Sequence, residues 1–144
     1  MKTLVIDASV AIKWVIEEGG TREALALRKG HRLIAPDLLA AECANILWKK
    51  VQRGELTAQE AELAAKLLQR ADVELMPMRA MLPAALRLAI ALEHPAYDCL
   101  YLALALERAA QFVTADERLL RRIALSPEPS FRDAALGLDA FSPP

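Results

Sequence analysis

The chain has 144 residues, 55% of them apolar, and a formal net charge of −1. Such a length and apolar content suit one domain, residues 1–144, with a substantial core, and exclude disorder as a description of the whole. The near-neutral balance excludes a protein that coats nucleic acid through bulk positive charge, so an RNA substrate would need a local basic patch or a bound metal.

Met1 to Asp7 does not read as a secretory signal, because its apolar run is short and ends in an acid. The longest apolar stretch, Ala96 to Leu106, contains Asp98 and falls well short of the roughly 20 residues needed to span a membrane. These features predict a soluble, cytoplasmic protein. Cys43 and Cys99 read as small buried hydrophobes and not as a disulfide, since nothing points to an oxidising compartment.

In chain order, Thr3 to Ile6 is a short apolar run that reads as a fully buried strand closed by Asp7. Ser9 is placed to cap a helix with Val10, Ala11, Trp14 and Val15 inward, broken by Gly19 and Gly20. Thr21 to Lys29 reads as a short helix closed by Gly30. Arg32 to Ala35 is a second strand, stopped by Pro36, and Asp37 to Arg53 a strong helix ended by Gly54. Thr57 with Glu60 forms a capping box for a helix that runs to about Arg70. Val73 to Met76 is a third strand. Ala80 to Leu92 is a helix that tolerates Pro83 in its first turn. His94 and Pro95 mark a break. Ala96 to Ala110 is a nearly all-apolar helix and should be buried. Gln111 to Thr114 is the fourth strand, and Asp116 opens a helix through about Ile123. The tail from Ser126, punctuated by Pro127, Pro129, Pro143 and Pro144, is the least readable part, with an edge strand expected at Leu136 to Phe141.

Strands alternating with helices predict an α/β fold with a parallel sheet covered on both faces. Ligands of such sheets bind outside the carboxyl ends of the strands. Asp7 and Asp116 follow the first and last clear strands, Asp98 opens a helix, and Glu42 lies on the long helix after the second strand. No Lys, Arg or His directly adjoins any of them in the sequence. Carboxylates gathered without a cationic partner repel one another, and a divalent cation is the usual remedy. Hard oxygen ligands suit Mg²⁺ or Mn²⁺. Such an ion activates water and neutralises an oxyanion, as hydrolysis of a phosphodiester requires. Ser9, Asn45 and Thr114 are placed to support the acids or a bound water. Glu17, Glu18, Glu60, Glu62 and Asp72 read as solvated residues, and His31 and His94 as solvated or capping residues in loops. A receiver domain would want an acidic pair after the first strand and a distal Lys, and a haloacid-dehalogenase-type phosphatase a second Asp where Ser9 stands.

Four segments, "VIDASVAIKW", "APDLLAAECANIL", "AYDCLYLALAL" and "FVTADERLL", resemble the signature blocks of PIN-domain ribonucleases, and more narrowly of VapC-type toxins. The resemblance spans residues 1 to about 123. It implies a three-layer α/β/α sandwich around a mainly parallel sheet, and Mg²⁺- or Mn²⁺-dependent endoribonuclease activity. The family's four acids fall on Asp7, Glu42, Asp98 and Asp116, with Asp7, Asp98 and Asp116 as metal ligands. Its frequent polar companions fall on Ser9, Asn45 and Thr114. The segment "SPEPSFRDAALGLDAF" is longer and more irregular than the family pattern leads one to expect. A homodimer and a cognate, VapB-like antitoxin are implied as well. Trp14, Leu47 and Trp48 are candidates to receive an amphipathic antitoxin helix, although large aromatics are mostly core. Lys13, Lys49, Lys50, Arg53, Arg118, Arg121 and Arg122 are candidates to steer RNA phosphates. The alternative reading is a non-catalytic module that binds RNA or a partner on the same Mg²⁺-binding scaffold.

Overall fold

The computed structural model describes residues 1–141. Pro143 and Pro144, read above as punctuation of the tail, lie outside the described residues. Strand β1 (Lys2–Ile6) leads into a one-turn helix α1 (Ala8–Ala11), which tightens into a 3-10 turn at Ile12–Trp14. Asp7, not Ser9, caps α1: its side chain accepts from the Val10 N–H. Helix α2 (Thr21–Leu27) follows Gly20, whose φ of 91° is a left-handed conformation open to glycine. Strand β2 (His31–Pro36), helix α3 (Leu38–Gln52) and helix α4 (Ala58–Gln69) come next. Both bonds of the Thr57–Glu60 capping box are formed.

Strand β3 (Glu74–Met76) is followed by a 3-10 turn and by helix α5 (Leu82–Leu92), with Pro83 in the first turn as expected. Helix α6 (Ala96–Arg108), strand β4 (Gln111–Thr114) and helix α7 (Glu117–Ala124) follow. The tail adds the expected edge strand, but shorter and earlier than Leu136 to Phe141. It forms a short helix α8 (Pro129–Ala134), a strand β5 (Ala135–Gly137) and a 3-10 turn at Leu138–Ala140. Pro129 starts α8, where its missing N–H costs nothing.

The five strands form one parallel sheet in the order β3-β2-β1-β4-β5. Leu4, Val5 and Ile6 are all buried. Successive strand residues point to opposite faces, so both faces of β1 are covered, giving a three-layer α/β/α sandwich. Helix α6 packs on β1, β2 and β4, and α5 packs against α6. Tyr101 of α6 stacks on Phe112 of β4 with ring centroids 5.9 Å apart. The strand order reverses at β1, with β2 on one side and β4 on the other. A cleft at the carboxyl ends of β1 and β4 is therefore the expected ligand site.

Two packing expectations need correction. Leu47 is buried, whereas Trp48 is 56% exposed. Leu39, Cys43 and Leu47 share the inward face of α3 at four-residue spacing, and that phase turns Trp48 outward. Lys13 and Lys50, read as free phosphate-steering residues, both pair with the half-buried Glu18, at 3.0 and 3.2 Å. Their charges hold Glu18 below the usual carboxylate range despite its desolvation. Glu18 is thus no solvated surface acid. Both cysteines are free and buried, as read from the sequence. Burial pushes the thiols up, Cys43 to about 12 and Cys99 to about 11, so neither is a thiolate at neutral pH.

Candidate active site at the carboxyl edge of the sheet

Asp7 sits where β1 ends, 7% exposed. Its Oδ1 accepts the Ser9 hydroxyl at 2.5 Å and the Val10 N–H at 3.3 Å, and its Oδ2 accepts the Thr114 hydroxyl. Burial nonetheless outweighs these three donors and pushes the carboxyl up to about 7, with the charge of Asp98 adding to the rise. The hydroxyls are themselves anchored across the β1–β4 seam. Ser9 Oγ accepts from the Ala115 N–H and Thr114 Oγ1 from the Asp116 N–H, each at 3.0 Å. Ser9 and Thr114 therefore tie the end of β1 to the end of β4, as supports of Asp7.

Asp116 caps α7, its Oδ1 accepting from the Leu119 N–H at 3.1 Å. Asp98 stands in the first turn of α6, where the helix dipole favours a negative charge. Glu42 lies half-buried on α3 and accepts the hydroxyl of Tyr101. Burial raises its pKa first and the charge of Asp98 raises it further, against the lowering effect of Tyr101. Asp7 and Glu42 thus both feel Asp98, and the structure brings the four acids to one edge. Asn45 is exposed, and its side chain makes no hydrogen bond among the described residues.

The site contains two residues that the sequence reading did not place there. Tyr101 holds Glu42, and burial together with that bond drives its own hydroxyl far above the ordinary phenol range. The larger correction concerns His94, read as a solvated or capping loop residue. It is 8% exposed, with Nε2 2.6 Å from Asp98 Oδ2. Donor atoms of His94, Asp98 and Asp116 all lie within 4.8 Å of one another. The signal available in the sequence was the four-residue spacing from His94 to Asp98. The intervening Pro95 made it read as a break.

The donor set fits a hard divalent cation. It offers carboxylate oxygens and one imidazole, and no Lys or Arg pairs with Asp7, Glu42, Asp98 or Asp116 among the described residues.

A family model described as PIN domain matches residues 4–125. The chain is 32% identical over 116 residues to ribonuclease VapC9 of Mycobacterium tuberculosis, covering 81% of this chain and 87% of the relative. It is also 32% identical over 122 residues to ribonuclease VapC3 of Pyrobaculum aerophilum, covering 83% of this chain and 93% of the relative. The fold is similar to that in a crystal structure of PAE2754 from Pyrobaculum aerophilum, with a TM-score of 0.72 and 20% identity over 96% of this chain and 91% of that one. This chain belongs to the PIN-domain family. Its place within the family is among the VapC-type ribonucleases.

Proposed function

We propose that the chain is a metal-dependent endoribonuclease, the toxin of a toxin–antitoxin pair, which acts in the cytoplasm. The observation that carries this reading is the meeting of Asp7, Glu42, Asp98 and Asp116 at the carboxyl edge of the sheet, in a chain related to VapC ribonucleases. Among the described residues no helix is long and apolar enough to cross a membrane.

Asp7, Asp98 and Asp116 would hold Mg²⁺ or Mn²⁺, with His94 at its margin. Bound there, the ion supplies a water of lowered pKa and positive charge for the phosphate oxygens. Ser9 and Thr114 fix both oxygens of Asp7, so its carboxylate is oriented before any ligand arrives. Tyr101 fixes Oε1 of Glu42, whose raised pKa suits it to take a proton at its carboxylate during hydrolysis. Arg118, Arg121 and Arg122 crowd the helix that Asp116 opens, and they are placed to meet RNA phosphates.

Two surfaces fit the implied partners. An apolar groove of about 260 Å³ between α1, α3 and α4 includes Trp14, Leu39, Leu47 and Leu68, and it suits an amphipathic segment of the antitoxin. Leu82, Leu86 and Ile90 form an exposed stripe along α5 at four-residue spacing, with the exposed Tyr97 at the start of α6, and this face suits a second copy of the chain.

The test is cleavage of total cellular RNA by the purified protein with Mg²⁺ or Mn²⁺, with EDTA, and beside Asp7→Asn. Discrete cuts that require both metal and Asp7 are expected. Cutting that survives EDTA or the substitution would sink the reading, and no cutting by folded, partner-free protein would favour a binding-only role.

A further inference from the structure

We infer that His94 is a positioning residue for the proposed divalent-cation site, acting through Asp98 and not on the substrate. This rests on the metal reading above.

The backbone around His94 is fixed on both sides. Helix α5 ends at Glu93 in a left-handed conformation, with φ 51° and ψ 49°. The His94 N–H then turns back to the Ala89 carbonyl at 3.2 Å, the closing bond of a helix C-terminal turn. Pro95, with φ locked near its observed −53°, is the N-cap residue that precedes α6. The connector between two packed helices thus leaves the imidazole little freedom, and burial leaves it less.

The ring is aimed at one atom, Asp98 Oδ2, at 2.6 Å. An ionised carboxylate only accepts, so Nε2 carries the proton and donates it. Asp98 makes no other side-chain hydrogen bond among the described residues. A carboxylate in the first turn of a helix, with no second contact, is free to rotate toward the N–H groups of that turn. The His94 bond selects one orientation and leaves Oδ1 unengaged, while Asp116 lies within reach of both residues. Side chains that brace metal-binding carboxylates in this way set metal affinity by about 10–100-fold.

The experiment is Mn²⁺ titration of the purified chain, read from the electron paramagnetic resonance of free Mn²⁺, for the wild type, His94→Leu and His94→Gln. Circular dichroism checks that each is folded. His94→Leu should weaken Mn²⁺ binding about 10–100-fold, and His94→Gln, which keeps an N–H at similar reach, should restore most of it. Should His94→Leu fail to fold, His94→Asn takes its place, since its amide is too short to reach Asp98. Two results would overturn the inference. One is unchanged affinity in the variant that lacks the donor. The other is equal weakening in both variants together with directly bound imidazole nitrogen in the pulsed spectrum of the wild type, which would make His94 a ligand. A wild type that binds no Mn²⁺ overturns the metal reading itself.

Discussion

The two sides of the acidic cleft are built on different terms. The Asp7 side grows out of the central strand, is almost closed to solvent, and has both carboxylate oxygens engaged by hydroxyls. The Asp98 and Asp116 side is made of helix starts, is more open, and has one buried imidazole as its brace. The first side stores electrostatic cost in exchange for order. The second relies on helix N-termini, which welcome negative charge, and its acids need less support.

Asp7→Asn should break the comparison most strongly. Cleavage is expected to fall to background, while the metal-free protein becomes more stable at pH 8. The sign follows from the raised carboxyl. Its folded pKa is about 7 against an ordinary 3.8, so between those values the folded state binds more protons than the unfolded one. The stability this group contributes is fully present below about pH 4 and is lost as pH rises through about 7, on the order of 1.4 kcal/mol per pH unit. Thermal unfolding in EDTA at pH 5 and pH 8 checks this. The wild type should lose stability relative to the variant between the two. A constant difference would show that Asp7 is not strained by burial.

Thr114→Val tests the seam between the two sides. The residue is fully buried, donates to Asp7 and accepts from the Asp116 N–H. Valine fills the space without either bond, and a destabilisation of about 1–3 kcal/mol is expected from the groups left unpaired. Thr114→Ser keeps the hydroxyl and should retain activity. Denaturant melts of the two variants, run beside RNA cleavage, separate a polar role from a packing one.

The smallest expected effect sharpens the open side. Glu93 holds a left-handed conformation that glycine adopts without cost. Glu93→Gly should be neutral to stabilising, by up to about 1 kcal/mol, with cleavage unchanged. A marked loss of stability in thermal melts would mean that the Glu93 side chain, and not the backbone turn, holds the His94 connector.

The parts legible in the sequence were those with a strong local signal. The apolar runs before Asp7 and before Asp116 could only be buried strands, and the Thr57–Glu60 box fixed the start of α4 to the residue. Asp7, Asp98 and Asp116 stood out because each follows a strand or sits in an apolar helix, whereas Glu42 alone read as an exposed helix residue and joined them only through the family resemblance. Strand β5 was displaced in the reading because three residues carry no periodicity and the helix before it begins at a proline. His94 was hidden because its partner lies across a proline, in the next helix, where spacing alone does not show direction. Trp48 was misjudged because residue type predicts burial less well than helical phase does. The ion pairs of Glu18 join residues 5 and 32 positions apart, and no local pattern reports the longer of them.

Two of the four acids, Asp7 and Asp116, also serve as the caps that start α1 and α7. Asparagine caps a helix about as well as aspartate, and a single base change converts an aspartate codon into an asparagine codon. On the proposed function, a single such step would remove a metal-binding charge while leaving the helix cap in place. The product would keep the surface of the folded protein, so a partner that recognises that surface would still bind it.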